Sequence, residues 1–118
     1  MKVKSQNKAK GDYYENLAGV FLEKEMKYNI ISKKFRGKIG EIDIIAKDED
    51  YLVFIEVKYR KNTMFGYPEE AVDKRKQNKI RLTANEFLKR YGIKEDTNIR
   101  FDVVSVLKNQ IKVIKNAF

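Results

Sequence analysis

The apolar patterning of this 118-residue sequence predicts a single α/β domain, a mixed central sheet flanked by helices in the order α-β-β-β-α-β-β. Three observations carry the expectation. Two segments repeat apolar residues at helical spacing. Three short runs of strand character lie between them. Two more strands follow the second helical segment, so a later strand can join the sheet by a crossover. The length and a 42% share of hydrophobic residues suit one core. No repeat, low-complexity tract or linker divides the chain. Residues 11–118 therefore read as one domain behind a basic arm, residues 1–10, with four lysines and no acid.

The first helix is expected from Gly11 to Lys27. Tyr14, Leu17, Ala18, Phe21 and Leu22 recur at i, i+3, i+4, i+7 and i+8, one amphipathic stripe. Ile30 to Arg36 is the first strand, and Gly37-Lys38 turns the chain into a second, Ile39 to Ala46. A polar turn at residues 47–50 leads to a third strand, Tyr51 to Tyr59. That strand starts apolar on both faces, the pattern of a strand covered on both sides. After a loop from Arg60 to Gly66, the second helix is expected to begin near Pro68. There proline fits a first-turn position and Glu69-Glu70 complement the positive helix end. Ile80, Ala84, Phe87, Leu88 and Tyr91 continue its stripe, and Gly92 stops it. Strand four spans Ile99 to Leu107, and Lys108-Asn109 turns into a last strand, Gln110 to Ile114.

Composition excludes several chemistries. The chain has no cysteine and no histidine. Disulfides, thiol nucleophiles, thiolate metal sites, imidazole ligation and a Ser-His-Asp triad are therefore all ruled out. Carboxylates, lysines, hydroxyls and a hard, oxygen-ligated cation remain. Lys and Arg total 26 against 17 Asp and Glu, a net charge of +9. Such a balance favours a polyanionic partner, nucleic acid ahead of an anionic membrane surface. No stretch approaches the ~18 apolar residues that would span a bilayer. The basic N-terminus is not followed by an apolar signal region, so a cytoplasmic protein is expected.

Polar groups inside strand-like apolar runs carry the chemical signal. A carboxylate interrupts Ile42-Asp43-Ile44-Ile45. A carboxylate and an ammonium interrupt Phe54-Ile55-Glu56-Val57-Lys58. Glu56 and Lys58 share a strand face, and burying such groups unpaired costs several kcal/mol. Across the hairpin, Asp43 falls opposite a residue between Phe54 and Glu56, which brings the two carboxylates to roughly 5–8 Å. They repel unless a cation or a shared proton lies between them. Mg²⁺, or Mn²⁺ in its place, meets that need with one or two carboxylates, several waters and a phosphate. Lys58 can hold an attacking water or neutralise the phosphoryl group. Glu15, at the border of the first helix's apolar stripe, can lean toward the pair.

Blander readings stand beside these. Asp43 and Glu56 can be structural ion-pair partners of Lys58, Arg36 or Arg60, and Glu15 an ordinary solvated acid. Lys74, Arg75, Lys76, Lys79 and Arg81 can be a solvated helix face. With Lys33, Lys34, Arg36, Lys38 and the arm, they can equally form a phosphate-facing surface. Tyr13, Tyr14, Tyr59, Phe65 and Tyr67 can stack on bases or pack internally.

At these residues the pattern becomes familiar. Asp43, twelve intervening residues and then Glu56-Val57-Lys58 resemble the PD-(D/E)xK nuclease signature. More closely, four segments together resemble the YraN family of endonuclease-like proteins. They are Gly40 to Ala46, Phe54 to Arg60, Phe65 to Val72, and Arg100-Phe101-Asp102-Val103-Val104. The likeness covers about Gly11 to Leu107. It implies a restriction-endonuclease-like fold, shared with archaeal Holliday-junction resolvases. It also implies metal ligation by Asp43, Glu56 and the Val57 carbonyl, a catalytic lysine at Lys58, and a completing helix acid at Glu15. Gln77 would be an extra polar residue near the metal. Two positions depart from the pattern: Ile42 stands where many members have proline, and no glycine directly precedes Glu15.

The expected function is Mg²⁺- or Mn²⁺-dependent hydrolysis of DNA phosphodiester bonds, with branched or flapped structures as one substrate class. Lys34, Arg36, Arg60, Lys76 and Gln77 are the expected nucleic-acid contacts, and a homodimer is expected where two strands are cut. The alternative is a non-catalytic or partner-dependent nucleic-acid-binding protein.

Overall fold

The computed structural model describes the backbone of residues 2–118 and the side chains of residues 8–118. Its α/β architecture is a five-stranded mixed sheet with one helix on each face. Helix α1 runs from Lys2 to Lys24 and α2 from Lys74 to Arg90. The strands are β1 (Asn29–Arg36), β2 (Glu41–Asp48), β3 (Tyr51–Arg60), β4 (Asn98–Leu107) and β5 (Gln110–Ile114). They lie in sequence order, β1-β2-β3-β4-β5. Every neighbouring pair is antiparallel except β3 and β4, which run parallel because α2 carries the chain back to the starting edge.

The elements follow the sequence pattern, with two large shifts of boundary and a smaller one in β2, which runs Glu41–Asp48 where Ile39 to Ala46 is expected. Helix α1 begins at Lys2, not Gly11, so residues 2–10, expected as an arm, continue the helix. They contain neither proline nor glycine and are rich in lysine, which favours helix. The helix ends at Lys24, short of the expected Lys27. Lys27 takes a left-handed φ of 61°, and the Tyr28 N–H returns to the Leu22 carbonyl at 2.9 Å, closing the last turn.

The second shift concerns α2. Pro68–Ala71 is a single 3-10 turn, and the helix starts only after Asp73, whose carboxylate accepts the Lys76 N–H at 2.9 Å. The cap decides the start. Glu69 is drawn instead to the sheet, where it accepts from Ser105 Oγ at 2.7 Å and from Lys112 Nζ at 2.6 Å.

Two apolar layers sandwich the sheet. Ala18 and Leu22 of α1 pack on Ile44, Ala46, Val53, Ile55 and Val104. On the other face Ile80, Ala84 and Phe87 of α2 pack on Ile42, Ile45, Phe54 and Val103. The β1–β2 connection lies close against α2, where a Cβ at Gly40 would stand 2.9 Å from Thr83 Oγ1. At the outer edge, β1 slips register between Ile30 and Ser32, a bulge, and Lys34 adopts a left-handed φ of 55°.

The deepest polar group is Asp102 on β4, which is fully buried. It accepts from Tyr28 Oη at 2.8 Å, from Arg100 Nε at 2.8 Å and from the Asn116 N–H at 3.0 Å. Arg100 also donates to Asp48 at 2.8 Å and to Tyr28 Oη at 2.7 Å. The Asp102 carboxylate holds the guanidinium above its ordinary pKa, while burial and then Asp102 hold the Tyr28 phenol above its own. The network ties α1's exit, the end of β2, β4 and the C-terminal segment together. Removing the cation strands a buried carboxylate, so Arg100→Met is expected to cost about 3–5 kcal/mol. Tyr28→Phe should cost roughly 1–3 kcal/mol. The exposed Arg36–Glu41 pair at 3.2 Å should matter far less, with Arg36→Ala within about 0.5 kcal/mol of wild type. Urea midpoints of the three variants check the ranking.

Candidate functional site

The site begins where one ladder stops and its neighbour does not. β2 and β3 pair from Asp48↔Tyr51 to Ile44↔Ile55 and no further. On its other side β3 stays paired with β4 as far as Arg60↔Leu107. The residues next in line on the parting strands are Asp43 and Glu56. Val57, released from β2's backbone, donates its N–H to the Asp43 carboxylate at 2.8 Å. A side chain thus takes the place of a main-chain partner, and it holds one carboxylate at the mouth of the parting.

Glu56 is only 4% exposed. Lys58 Nζ lies 3.5 Å from its Oε2, and Lys76 Nζ lies 3.3 Å from the same atom. Lys58 comes from the same strand face and Lys76 from the capped first turn of α2. Glu15 closes the opposite side from α1, with Lys34 Nζ at 3.6 Å. Glu15, Asp43, Glu56, Val57, Lys58 and Lys76 all line one cleft of about 390 Å³.

The electrostatics of the cleft are uneven. Burial first, and then the neighbouring Glu56 charge, push the Asp43 carboxyl up to about 8, against the pull of the Val57 N–H. Burial also raises Glu15, with Lys34 opposing it. Among the described residues no three carboxylates converge closely enough to enclose a cation unaided. Two carboxylates, Asp43 and Glu56, remain as donors, together with the main chain of Val57 and room for water and a phosphate. Mg²⁺ or Mn²⁺ fits that donor set, because it keeps several waters and asks little of the protein.

The structure brings Glu15, Asp43, Glu56, Val57, Lys58 and Lys76 together. Lys34 stands at the border, bonded to Asp12 and close to Glu15. Three expected residues, Arg36, Gln77 and Arg60, are not brought to the cleft. Arg36 turns outward to Glu41, and Gln77 donates its amide to the Val72 carbonyl at 3.1 Å, bracing the start of α2. Arg60 borders an adjoining groove. Sequence reasoning missed the Lys76–Glu56 contact and the stack of Tyr14 on Tyr59, whose rings are 3.7 Å apart and 11° from parallel. Strand alternation put Tyr59 on the face opposite Lys58. No local signal could say which α1 residue would meet it.

The comparisons with known proteins agree on one family. The model of "Uncharacterised protein family UPF0102" matches residues 14–106. A UPF0102 protein of Lachnoclostridium phytofermentans is 49% identical over 94 residues, covering 80% of each chain. UPF0102 proteins of Clostridium botulinum, from strain 657 and strain Loch Maree, are 45% and 44% identical over 118 residues, covering 95% of each chain. The matched span holds every residue named in the cleft; Lys10 and Gly11, which also line it, precede the match.

Asp43 carries a stability penalty that the geometry makes testable. Its folded pKa lies above the unfolded one, so the penalty is absent in acid and accrues as pH rises from about 4 toward 8. Asp43→Asn keeps an oxygen for the Val57 N–H and removes the charge. The variant is expected to be more stable than wild type by roughly 0.5–2 kcal/mol at pH 8. The gain should vanish near pH 4. Chemical denaturation at the two pH values, without divalent cations, checks it.

Proposed function

We propose that this chain, which belongs to the UPF0102 family, is a metal-dependent endonuclease of the restriction-endonuclease-like fold that hydrolyses DNA phosphodiester bonds. The single observation that carries the reading is the convergence of Asp43, Glu56 and Lys58 in one cleft at the parting of β2 and β3. A domain gains nothing in stability from driving two carboxylates together where two apolar strands part. It gains an active site.

Asp43, Glu56 and the Val57 carbonyl would hold Mg²⁺ or Mn²⁺. When bound, the cation would lower the pKa of water and stabilise charge on a phosphoryl oxygen. The residues of the chain do the rest. Lys58, 3.5 Å from Glu56, orients a water beside the carboxylates and offsets negative charge building on the phosphorus. The water oxygen bonds to phosphorus as the bond to the leaving sugar oxygen breaks, the water giving up a proton to solvent and the leaving oxygen taking one from solvent. Lys76, 3.3 Å from Glu56, places a second ammonium where a DNA phosphate enters. Glu15 keeps a third carboxyl at the rim, able to accept a hydrogen bond from water. The net charge of +9 supports long-range attraction of the polyanion. One cleft per chain supports a homodimer for cutting both strands.

One observation favours a second reading. Glu56 already has two ammonium partners, so the cluster also satisfies the electrostatics of a nucleic-acid-binding module without catalysis. The readings diverge on metal. In the nuclease, Lys76→Met should raise the affinity for Mn²⁺, because one competing cation is gone. In the binding module, Mn²⁺ should not change the melting temperature of either protein.

The decisive assay is cleavage of labelled linear, flapped and four-way-junction DNA in Mg²⁺ and in Mn²⁺. Wild type should cut. Glu56→Ala and Lys58→Ala should lose on the order of 10²-fold or more in rate while still binding DNA. Equal binding by all three proteins with no cutting by any would overturn the nuclease reading.

A further inference from the structure

A second groove, of about 460 Å³, opens beside the cleft and shares Lys10 and Tyr59 with it. Arg60, Lys61, Met64 and Phe65 complete the working part of its wall, and the lining contains no acid. Its apolar tip is conspicuously bare, with Met64 77% and Phe65 80% exposed. Its floor is firm, because Tyr59 is stacked on Tyr14 and Lys10 Nζ lies 5.7 Å from the Tyr59 ring centre. Arg60 is held in place by the strand, its carbonyl accepting the Lys108 N–H at 3.0 Å. Yet its Nε is buried with no hydrogen-bond partner among the described residues.

We infer that this groove binds an unpaired DNA strand, with a base on Phe65 and backbone phosphates on Lys10, Arg60 and Lys61. The inference rests on the nuclease reading and deepens it: the substrate class is DNA with a single-stranded segment adjoining the cut, as in a flap or splayed arm. Charge and shape select this occupant. Three cations with no acid ask for an anion. An exposed ring beside them asks for a flat, unstacked base, which single strands offer and a duplex keeps internal. An acidic peptide would satisfy the lysines and leave Phe65 without a partner. Continuity with the cleft through Tyr59 and Lys10 leads the strand toward Glu56 and Lys58.

The test is binding, read by fluorescence anisotropy in the absence of divalent cations. The probes are a labelled oligothymidine of about 12 nucleotides and a blunt duplex at the same salt. Phe65→Ala is expected to weaken oligothymidine binding about 5- to 100-fold and to leave duplex binding nearly unchanged. Phe65→Trp should restore it. Arg60→Gln should weaken it as well, whereas Lys94→Ala, on the far side of the molecule beside Gly92 and Ile99, should not. Unchanged melting temperatures keep the comparison free of folding effects. Oligothymidine binding by Phe65→Ala equal to wild type overturns the inference, as does an equal loss on the duplex. The outcome is separable from the nuclease reading. Failure of wild type to cut leaves the binding result intact, and cutting by a Phe65→Ala protein that binds normally removes only this inference.

Discussion

The rest of the structure depends on the long parallel ladder between β3 and β4. Its ten residue pairs, from Tyr51↔Asn98 to Arg60↔Leu107, keep β3 extended over its whole length. Only because that edge is secured can the start of β2, before Ile44, stand apart from β3 without β3 fraying. The C-terminal half of β3 then stands with one side supported and the other open, and the open side carries Glu56, Val57 and Lys58. Parallel pairing is possible because α2 returns the chain to the starting edge. The same helix delivers Lys76 to Glu56. One crossover therefore builds both the support and part of the cleft.

Two polar clusters in this small domain are treated in opposite ways. Asp102 is fully buried and fully satisfied, with Tyr28, Arg100 and Asn116 supplying its donors. Asp43 is held by the Val57 N–H, while burial first and then the like charge of Glu56 raise its pKa. The first cluster is what a protein does with a buried carboxylate when stability is the aim. The second keeps an electrostatic tension that folding did not require. Such tension is common at working sites and is offset elsewhere in the fold. Here the offset is the Arg100 network and the two apolar layers.

Much of this was legible in the amino-acid order. The α-β-β-β-α-β-β plan, a turn within residues 47–50 and one at 108–109, and the covered centre of β3 follow from periodicity and turn chemistry. Asp43, Glu56 and Lys58 stood out because they are charges inside strand-like apolar runs. What stayed hidden was mostly long-range or competitive. The start of α2 was masked by Pro68, a fair first-turn residue, until the Asp73 cap prevailed. Gln77 was implied as a site residue by the family resemblance alone, and its amide has a nearer acceptor in Val72. The partner of Arg100 on β2, Asp48, lies half the chain away and only topology unites them. The Tyr14–Tyr59 stack was invisible for the same reason.

The outer edge of β1 has a bearing on how copies of this protein can meet. An open strand edge invites a second sheet to add to it, the usual start of runaway self-association. β1 discourages this twice over. A bulge breaks its register after Ile30, and Lys34 takes a left-handed turn of the backbone. Sheet extension along that side would have to accommodate a kinked ladder. Crowded solutions of the protein should therefore stay clear of fibres nucleated there, and any orderly pairing of two copies is steered away from that edge.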